Sequence, residues 1–73
     1  MNFPEKLKAL RNAKGLTQEE LAKAIYVSRT LITKYESGVV YPSEINAEKL
    51  ALFFNVKLSD LIDKEDEIEI ILE

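Results

Sequence analysis

The chain has 73 residues, 47% of them apolar, and its ten basic and thirteen acidic side chains give a formal net charge of −3. This length fits one small domain around a single core. The absence of cysteine and histidine excludes disulfide bonds, thiolate metal sites and imidazole acid–base chemistry.

The apolar runs are too short to cross a bilayer, and the first residues lead into charged side chains rather than a signal-peptide core. We therefore expect a cytoplasmic protein with no membrane contact. Residues 1–38 carry seven basic and four acidic side chains, whereas residues 39–73 carry three basic and nine acidic. Because phosphate attraction depends on the local field of the docking face, the overall acidity weakens a nucleic-acid interpretation without excluding it.

The first predicted helix has Pro4 at a favoured first-turn position. Its apolar residues Phe3, Leu7 and Leu10 recur at i, i+4 and i+7, the spacing of one helical face. We expect Gly15 to end it.

Two short helices follow, separated by three or four residues. Thr17 and Glu20 have the spacing of a capping box, which predicts a helix start at Thr17. Ser28 can cap the next helix, and Gly38 should end it, because glycine tolerates the left-handed conformation common just past a helix end. This is the layout of a helix-turn-helix, whose second helix enters the DNA major groove.

The helix from Ser28 to Ser37 has two different faces at about 100° per residue. Its inner arc holds Ser28, Leu31, Ile32 and Tyr35. The outer arc holds five side chains that can all donate a hydrogen bond, none of them acidic: Arg29, Thr30, Thr33, Lys34 and Ser37. A charged outer face is usually only a solvated surface, so the surrounding sequence has to decide between solvent and DNA.

A fourth helix is predicted to start at Ser43 and to stop at Asn55 in a left-handed conformation. Its buried stripe is Ala47, Leu50, Ala51 and Phe54. A last short helix holds Leu58, Leu61 and Ile62. Five helices with short connectors predict a compact all-α domain over residues 1–63.

Residues 64–73 form an acidic tail that can be interpreted in several ways. Ile68, Ile70 and Leu72 alternate as in a strand, although Ile68, Ile71 and Leu72 would also line up on a helix. A lone strand has no partner in an all-α domain, so we hypothesise that two tails pair across a dimer or that the tail docks on a protein partner. A disordered acidic end is the alternative.

The sequence over residues 3–62 resembles that of the Cro/repressor-type helix-turn-helix regulators of phages and bacteria, with matching residues in the same order and without a gap. The residues that carry the resemblance are the run from Arg11 to Ala22, Val27-Ser28-Arg29, Ile32, Tyr35-Glu36, Gly38, Pro42-Ser43, Leu50-Ala51, Phe54-Asn55-Val56 and Leu58. It implies a DNA-binding domain with its helix-turn-helix at the centre.

The resemblance also implies roles for individual residues. Gln18 corresponds to a phosphate contact at a helix start, where free N–H groups and the helix dipole attract an anion. Base-edge contacts correspond to Arg29, Thr30 and Lys34, with Thr33 beside them. We favour Arg29 for direct readout, because a guanidinium can pair bidentately with guanine O6 and N7.

Three further positions take roles from the same resemblance. Ser37 corresponds to a second phosphate contact. Arg11 and Glu36 correspond to a pair that bridges the first and third helices, and Arg11, once paired, would also approach the DNA backbone.

Some residues depart from the family pattern. Tyr26 stands where the turn usually has glycine, which would cost roughly 1 kcal/mol in a left-handed conformation, and we expect its ring to stack on something. Val39 and Val40 replace the usual basic residues of the following loop, which favours a protein contact there. Lys57 replaces a capping residue, so the fifth helix should start loosely.

Repressors of this kind place two reading helices about 34 Å apart on a pseudo-palindromic operator. We therefore expect a homodimer on double-stranded DNA. The candidate interface residues are Val39, Val40, Tyr41, Leu52, Ile68, Ile70 and Leu72.

The sequence thus favours a sequence-specific DNA-binding transcriptional regulator, expected to be a repressor, which acts without catalysis, metal or cofactor. The alternative is a protein-interaction module, such as an antitoxin-like domain, that keeps the fold and binds a protein instead. Salt-dependent retention on DNA distinguishes the two.

Overall fold

The computed structural model describes residues 1–62. The candidate dimer residues Ile68, Ile70 and Leu72, like the whole predicted tail at 64–73, lie outside this part of the chain. Over residues 1–62 the fold is all-α, as predicted, and contains five helices: α1 (Phe3–Ala13), α2 (Gln18–Ala24), α3 (Arg29–Ser37), α4 (Glu44–Phe54) and α5 (Leu58–Leu61).

The helix starts follow the predicted capping signals. The Thr17 hydroxyl accepts from the Glu20 N–H at 3.0 Å, and the Glu20 carboxylate accepts from the Thr17 N–H at 2.9 Å, which completes the capping box. Ser28 and Ser43 cap α3 and α4 through the same kind of bond to the third helical N–H. Lys57 makes no side-chain cap at α5, as predicted.

Four helix ends share one hydrogen-bond pattern. The residue after each end donates its N–H to the carbonyl five residues earlier: Leu16 to Arg11, Val27 to Ala22, Val39 to Lys34 and Val56 to Ala51. In each case the residue just before the donor has a positive φ, namely Gly15, Tyr26, Gly38 and Asn55. This geometry satisfies carbonyls that a helix end leaves unpaired, and it requires a left-handed residue.

Tyr26 is the residue in this set with the least suitable side chain. Its φ is +61°, so the predicted cost of roughly 1 kcal/mol applies. The expected stacking partner is absent among residues 1–62, because the Tyr26 side chain is 89% exposed. The hydrogen bonds of the turn therefore hold Tyr26 in a conformation that its own side chain disfavours.

The core forms where α3 packs against α1 and α2, and where α5 packs against α4 and α1. The ring of Phe3 meets Tyr35 edge-on at 6.0 Å and lies 6.2 Å from Tyr41. Asn46 of α4 donates to the Tyr35 hydroxyl at 3.1 Å. The buried apolar residues are Phe3, Leu7, Leu21, Ala22, Ile25, Ile32, Tyr35, Ala47, Leu50, Ala51, Phe54, Leu61 and Ile62.

Candidate nucleic-acid interface

The outward face of α3 is open to solvent. Its inner residues Ile32 and Tyr35 are buried and Leu31 is half-buried, which fixes the rotation of the helix against the core. The predicted DNA-facing residues of α3 itself are all exposed, whereas Gln18 and Arg11 are half-buried. The exposed residues are Arg29, Thr30, Thr33, Lys34 and Ser37. Ser28, which we assigned to the inner arc, is exposed and instead caps the helix.

Behind this face, Arg11 of α1 and Glu36 of α3 form a bidentate ion pair. The Arg11 Nε donates to Glu36 Oε2 at 2.6 Å and its Nη2 donates to Glu36 Oε1 at 3.0 Å. Nη1 donates to the Leu16 carbonyl at 2.7 Å. Hydrogen bonding to the carboxylate raises the pKa of the Arg11 guanidinium, although desolvation opposes the shift. The predicted bridge between the first and third helices is therefore present.

The environment of Arg11 bears on its predicted approach to DNA. Only 12% of its side chain is exposed, against 4% for Glu36. Three of its five N–H donors are used inside the protein. We therefore assign Arg11 mainly to holding Glu36 and the end of α1, with two N–H groups left over.

The side-chain amide of Gln18, at the start of α2, forms hydrogen bonds to α3 through both its nitrogen and its oxygen. Its Nε2 donates to Glu36 Oε1 at 3.2 Å, and its Oε1 accepts from the Thr33 hydroxyl at 2.7 Å. The Thr33 hydroxyl also lies 3.2 Å from the Arg29 carbonyl. No local sequence signal predicts these links, because Gln18 lies 15 residues from Thr33 and 18 from Glu36.

An open depression of about 440 Å³ lies beside this network. The residues that line it are Arg11, Thr17, Gln18, Glu19 and Arg29. Two arginines and one glutamine therefore border the same space, and these residue types donate hydrogen bonds to phosphate. The Glu19 carboxylate is the acidic side chain of this lining.

The net negative charge of the chain belongs to residues 63–73. Residues 1–62 carry nine basic and seven acidic side chains, a net charge of +2, whereas residues 63–73 carry six acidic and one basic, a net charge of −5. Residues 1–62 therefore have the sign of charge that attracts phosphate, even though the whole chain is acidic.

The dimer candidates within residues 1–62 fall into two groups. Leu52 and Val39 are exposed by 82% and 69%. Val40 and Tyr41 are half-buried and pack against the core of their own chain. Ile45, which the sequence reasoning missed, is 68% exposed and lies two turns before Leu52 on α4, so both lie on one side of that helix.

Within residues 1–62, no group of three or more acidic, histidine or cysteine side chains is arranged to hold a metal ion. Over the same residues, no helix combines the length and apolar character needed to span a bilayer.

Comparison with known proteins gives consistent matches. Residues 7–61 match the family model described as helix-turn-helix. The chain is 47% identical over 66 residues to the HTH-type transcriptional activator BcrR of Enterococcus faecalis, which covers 90% of this chain and 32% of the relative. It is 37% identical over 68 residues to the cryptic phage CTXphi transcriptional repressor RstR of Vibrio cholerae, covering 92% of this chain and 61% of the relative.

A solved structure supports the same fold. The restriction-modification controller protein C.AhdI of Aeromonas hydrophila superposes with a TM-score of 0.76 at 35% identity, covering 82% of this chain and 91% of that one. Of the two sequence relatives described above, the chain spans about a third of the length of the Enterococcus protein and about three fifths of the length of the Vibrio protein.

Proposed function

Since the chain belongs to the helix-turn-helix family of transcriptional regulators, we propose that it binds double-stranded DNA sequence-specifically and regulates transcription. In this proposal α3 enters the major groove and α2 lies across the phosphate backbone. The family is one of DNA-binding regulators rather than enzymes, and the chain acts by occupying DNA.

The observation that carries the proposal is the composition of the exposed face of α3. Every side chain on it can donate a hydrogen bond, and none is acidic. We assign Arg29, Thr30 and Lys34 to base edges, with Arg29 on a guanine. Gln18 and Ser37 are assigned to phosphates on either side, where they fix the register of α3 in the groove.

The two remaining polar residues of the site support those contacts. Thr33 lies between the base-contacting and phosphate-contacting residues. Arg11 neutralises the buried Glu36 carboxylate, keeps two N–H groups without a bond to Glu36 or Leu16, and borders the depression next to Gln18. A phosphate in that depression would meet both Arg11 and Gln18.

We further propose a homodimer on a pseudo-palindromic operator. One module of this size buries only about 600–1,000 Å² of its own surface on DNA, and a second reading helix adds the affinity and specificity that a single module lacks. Val39 and Leu52 are the exposed candidates, with Ile45 added beside Leu52. Val40 and Tyr41 would contribute only the part of their surface that is not buried against the core of their own chain. We also propose that two tails pair through Ile68, Ile70 and Leu72.

For the direction of regulation we propose repression, by occlusion of the operator. The name of the Vibrio relative supports this, since that protein is a transcriptional repressor. The Enterococcus relative is named an activator and is about three times as long as its match to this chain. A reporter gene behind the selected operator tests the direction: repression lowers expression when the chain is supplied.

Titration of DNA binding against salt tests the proposed function. Arg29 and Lys34 are the two exposed cations on the outward face of α3. Release of counterions at these two cations should give a plot of log Kd against log salt a slope of about 2 per chain. Replacing both residues by alanine should remove most of that slope. No retention on duplex DNA at low salt would instead favour the protein-binding module.

A further inference from the structure

We propose that Thr33 is a positioning residue, whose hydroxyl fixes the orientation of the Gln18 amide so that one N–H of that amide faces a DNA phosphate. This inference rests on the proposed function, and it changes the role of Thr33 from a side chain next to the bases to one that acts through Gln18.

The geometry of the amide carries the inference. A glutamine amide offers two N–H donors and one carbonyl oxygen. Here the oxygen accepts from the Thr33 hydroxyl at 2.7 Å, and one N–H donates to Glu36 at 3.2 Å. The second N–H is therefore the donor left for a ligand, and Gln18 borders the open depression beside α2.

The reverse orientation of the amide is unfavourable at the Glu36 end and gives up a short hydrogen bond at the Thr33 end. Rotation by 180° would bring the amide oxygen against the Glu36 carboxylate, which has no proton to donate when ionised. It would also turn the amide nitrogen toward the Thr33 hydroxyl, which would then have to accept from that nitrogen and donate to the Arg29 carbonyl at 3.2 Å instead of to the Gln18 oxygen at 2.7 Å. Glu36 is itself held by Arg11, so the amide is fixed from two sides before DNA arrives, which lowers the ordering cost of binding.

The same bond limits what Thr33 can do at the DNA bases. Its hydroxyl has a single proton, and the nearest acceptors are the Gln18 oxygen at 2.7 Å and the Arg29 carbonyl at 3.2 Å, both inside the protein. Thr33 therefore links the start of α2 to the first turn of α3. Its contribution to binding should be independent of base sequence.

Four variants test this arrangement: Thr33→Val, Thr33→Ser, Gln18→Ala and the double variant Gln18→Ala/Thr33→Val. Valine keeps the shape of threonine without the hydroxyl, whereas serine keeps the hydroxyl. The probe is a short fluorescein-labelled duplex of mixed sequence, and binding is followed by anisotropy at low salt. Thermal unfolding of each variant provides the control for folding.

We expect Thr33→Val and Gln18→Ala each to weaken binding by about three- to tenfold. Thr33→Ser should bind like the wild type. The double variant should be no weaker than Gln18→Ala, because Thr33 acts through the side chain that is already missing. In the free protein, Thr33→Val should shift the NMR signals of the Gln18 side-chain NH₂ group, and Thr33→Ser should leave them in place.

Two results would overturn the inference alone. One is wild-type affinity for Thr33→Val when Gln18→Ala binds weakly; the other is a Thr33→Val effect that multiplies with that of Gln18→Ala or that differs between duplex sequences. A wild-type protein that fails to bind any duplex at low salt overturns the proposed function as well, so the two failures are distinguishable.

Discussion

Arg11 and Glu36 meet through two parallel hydrogen bonds, at 2.6 and 3.0 Å, beneath the face of α3 that we assign to DNA. The carboxylate is only 4% exposed. An unpaired negative charge at this place would repel phosphate and would be costly to bury. The ion pair therefore stabilises the domain and also removes a negative charge that would repel phosphate at the proposed DNA-binding surface.

Removal of Arg11 should destabilise the fold strongly. Arg11→Met leaves the Glu36 carboxylate buried without its partner, and we expect a loss of about 3 kcal/mol in the free energy of unfolding. The double variant Arg11→Met/Glu36→Leu removes both charges and should recover most of that loss. Urea denaturation of the two variants measures this. Equal destabilisation of the single and double variants would show that the pair does not act as a unit.

Tyr26 should be replaceable by glycine with a gain in stability. Tyr26 has a φ of +61° and a side chain that is 89% exposed, so Tyr26→Gly relieves strain and loses little burial. After allowance for the greater freedom of glycine in the unfolded chain, we expect a gain of about 0.5 kcal/mol. Tyr26→Ala keeps the strained backbone and serves as the control. A loss of stability in Tyr26→Gly would mean that the ring has a partner in the intact protein.

The capping box of α2 should make stability depend on acid pH. The Glu20 carboxylate accepts a hydrogen bond from the Thr17 backbone N–H, and this bond lowers the pKa of the Glu20 carboxyl below its ordinary value of 4.5. A depressed pKa in the folded state adds stability above pH 4.5, and this is lost as the pH falls through the folded-state pKa. Glu20→Gln keeps a cap without the charge.

The measurement is the difference in unfolding midpoint between the wild type and Glu20→Gln. This difference should be largest at neutral pH and should shrink below about pH 4.5. A difference that stays constant across this range would contradict an ionised cap.

Leu52 tests the proposed dimer surface on α4. Leu52→Glu places a charge at an apolar position that is 82% exposed in one chain, and we expect it to raise the dimer dissociation constant by about tenfold or more. Glu48→Gln, at an exposed position of the same helix, should have little effect. Sedimentation equilibrium gives both values. A dimer that tolerates Leu52→Glu would exclude this face of α4.

Local signals in the sequence predicted most of the fold. Thr17, Ser28 and Ser43 cap the helices they were expected to cap, and Gly38 and Asn55 end theirs in left-handed conformations. These signals act between neighbours within a few residues, so one sequence contains them completely.

The candidate site was only partly predictable. The exposed face of α3 follows from helical periodicity, and the Arg11–Glu36 bridge followed from the family resemblance. The bonds from Gln18 to Glu36 and Thr33 depend on how α2 packs on α3, which periodicity within each helix does not encode. The contact of Lys14 with the Phe53 ring, at 5.4 Å, was missed for the same reason.

The most direct measurement compares Arg29→Ala with Gln18→Ala on two duplexes, an operator obtained by selection from random sequences and a mixed-sequence control. If α3 reads base edges, Arg29→Ala loses about 1–3 kcal/mol of discrimination between the two, concentrated at one base pair of each half-site, whereas Gln18→Ala weakens both equally. Equal losses on both duplexes for Arg29→Ala would contradict direct readout by α3.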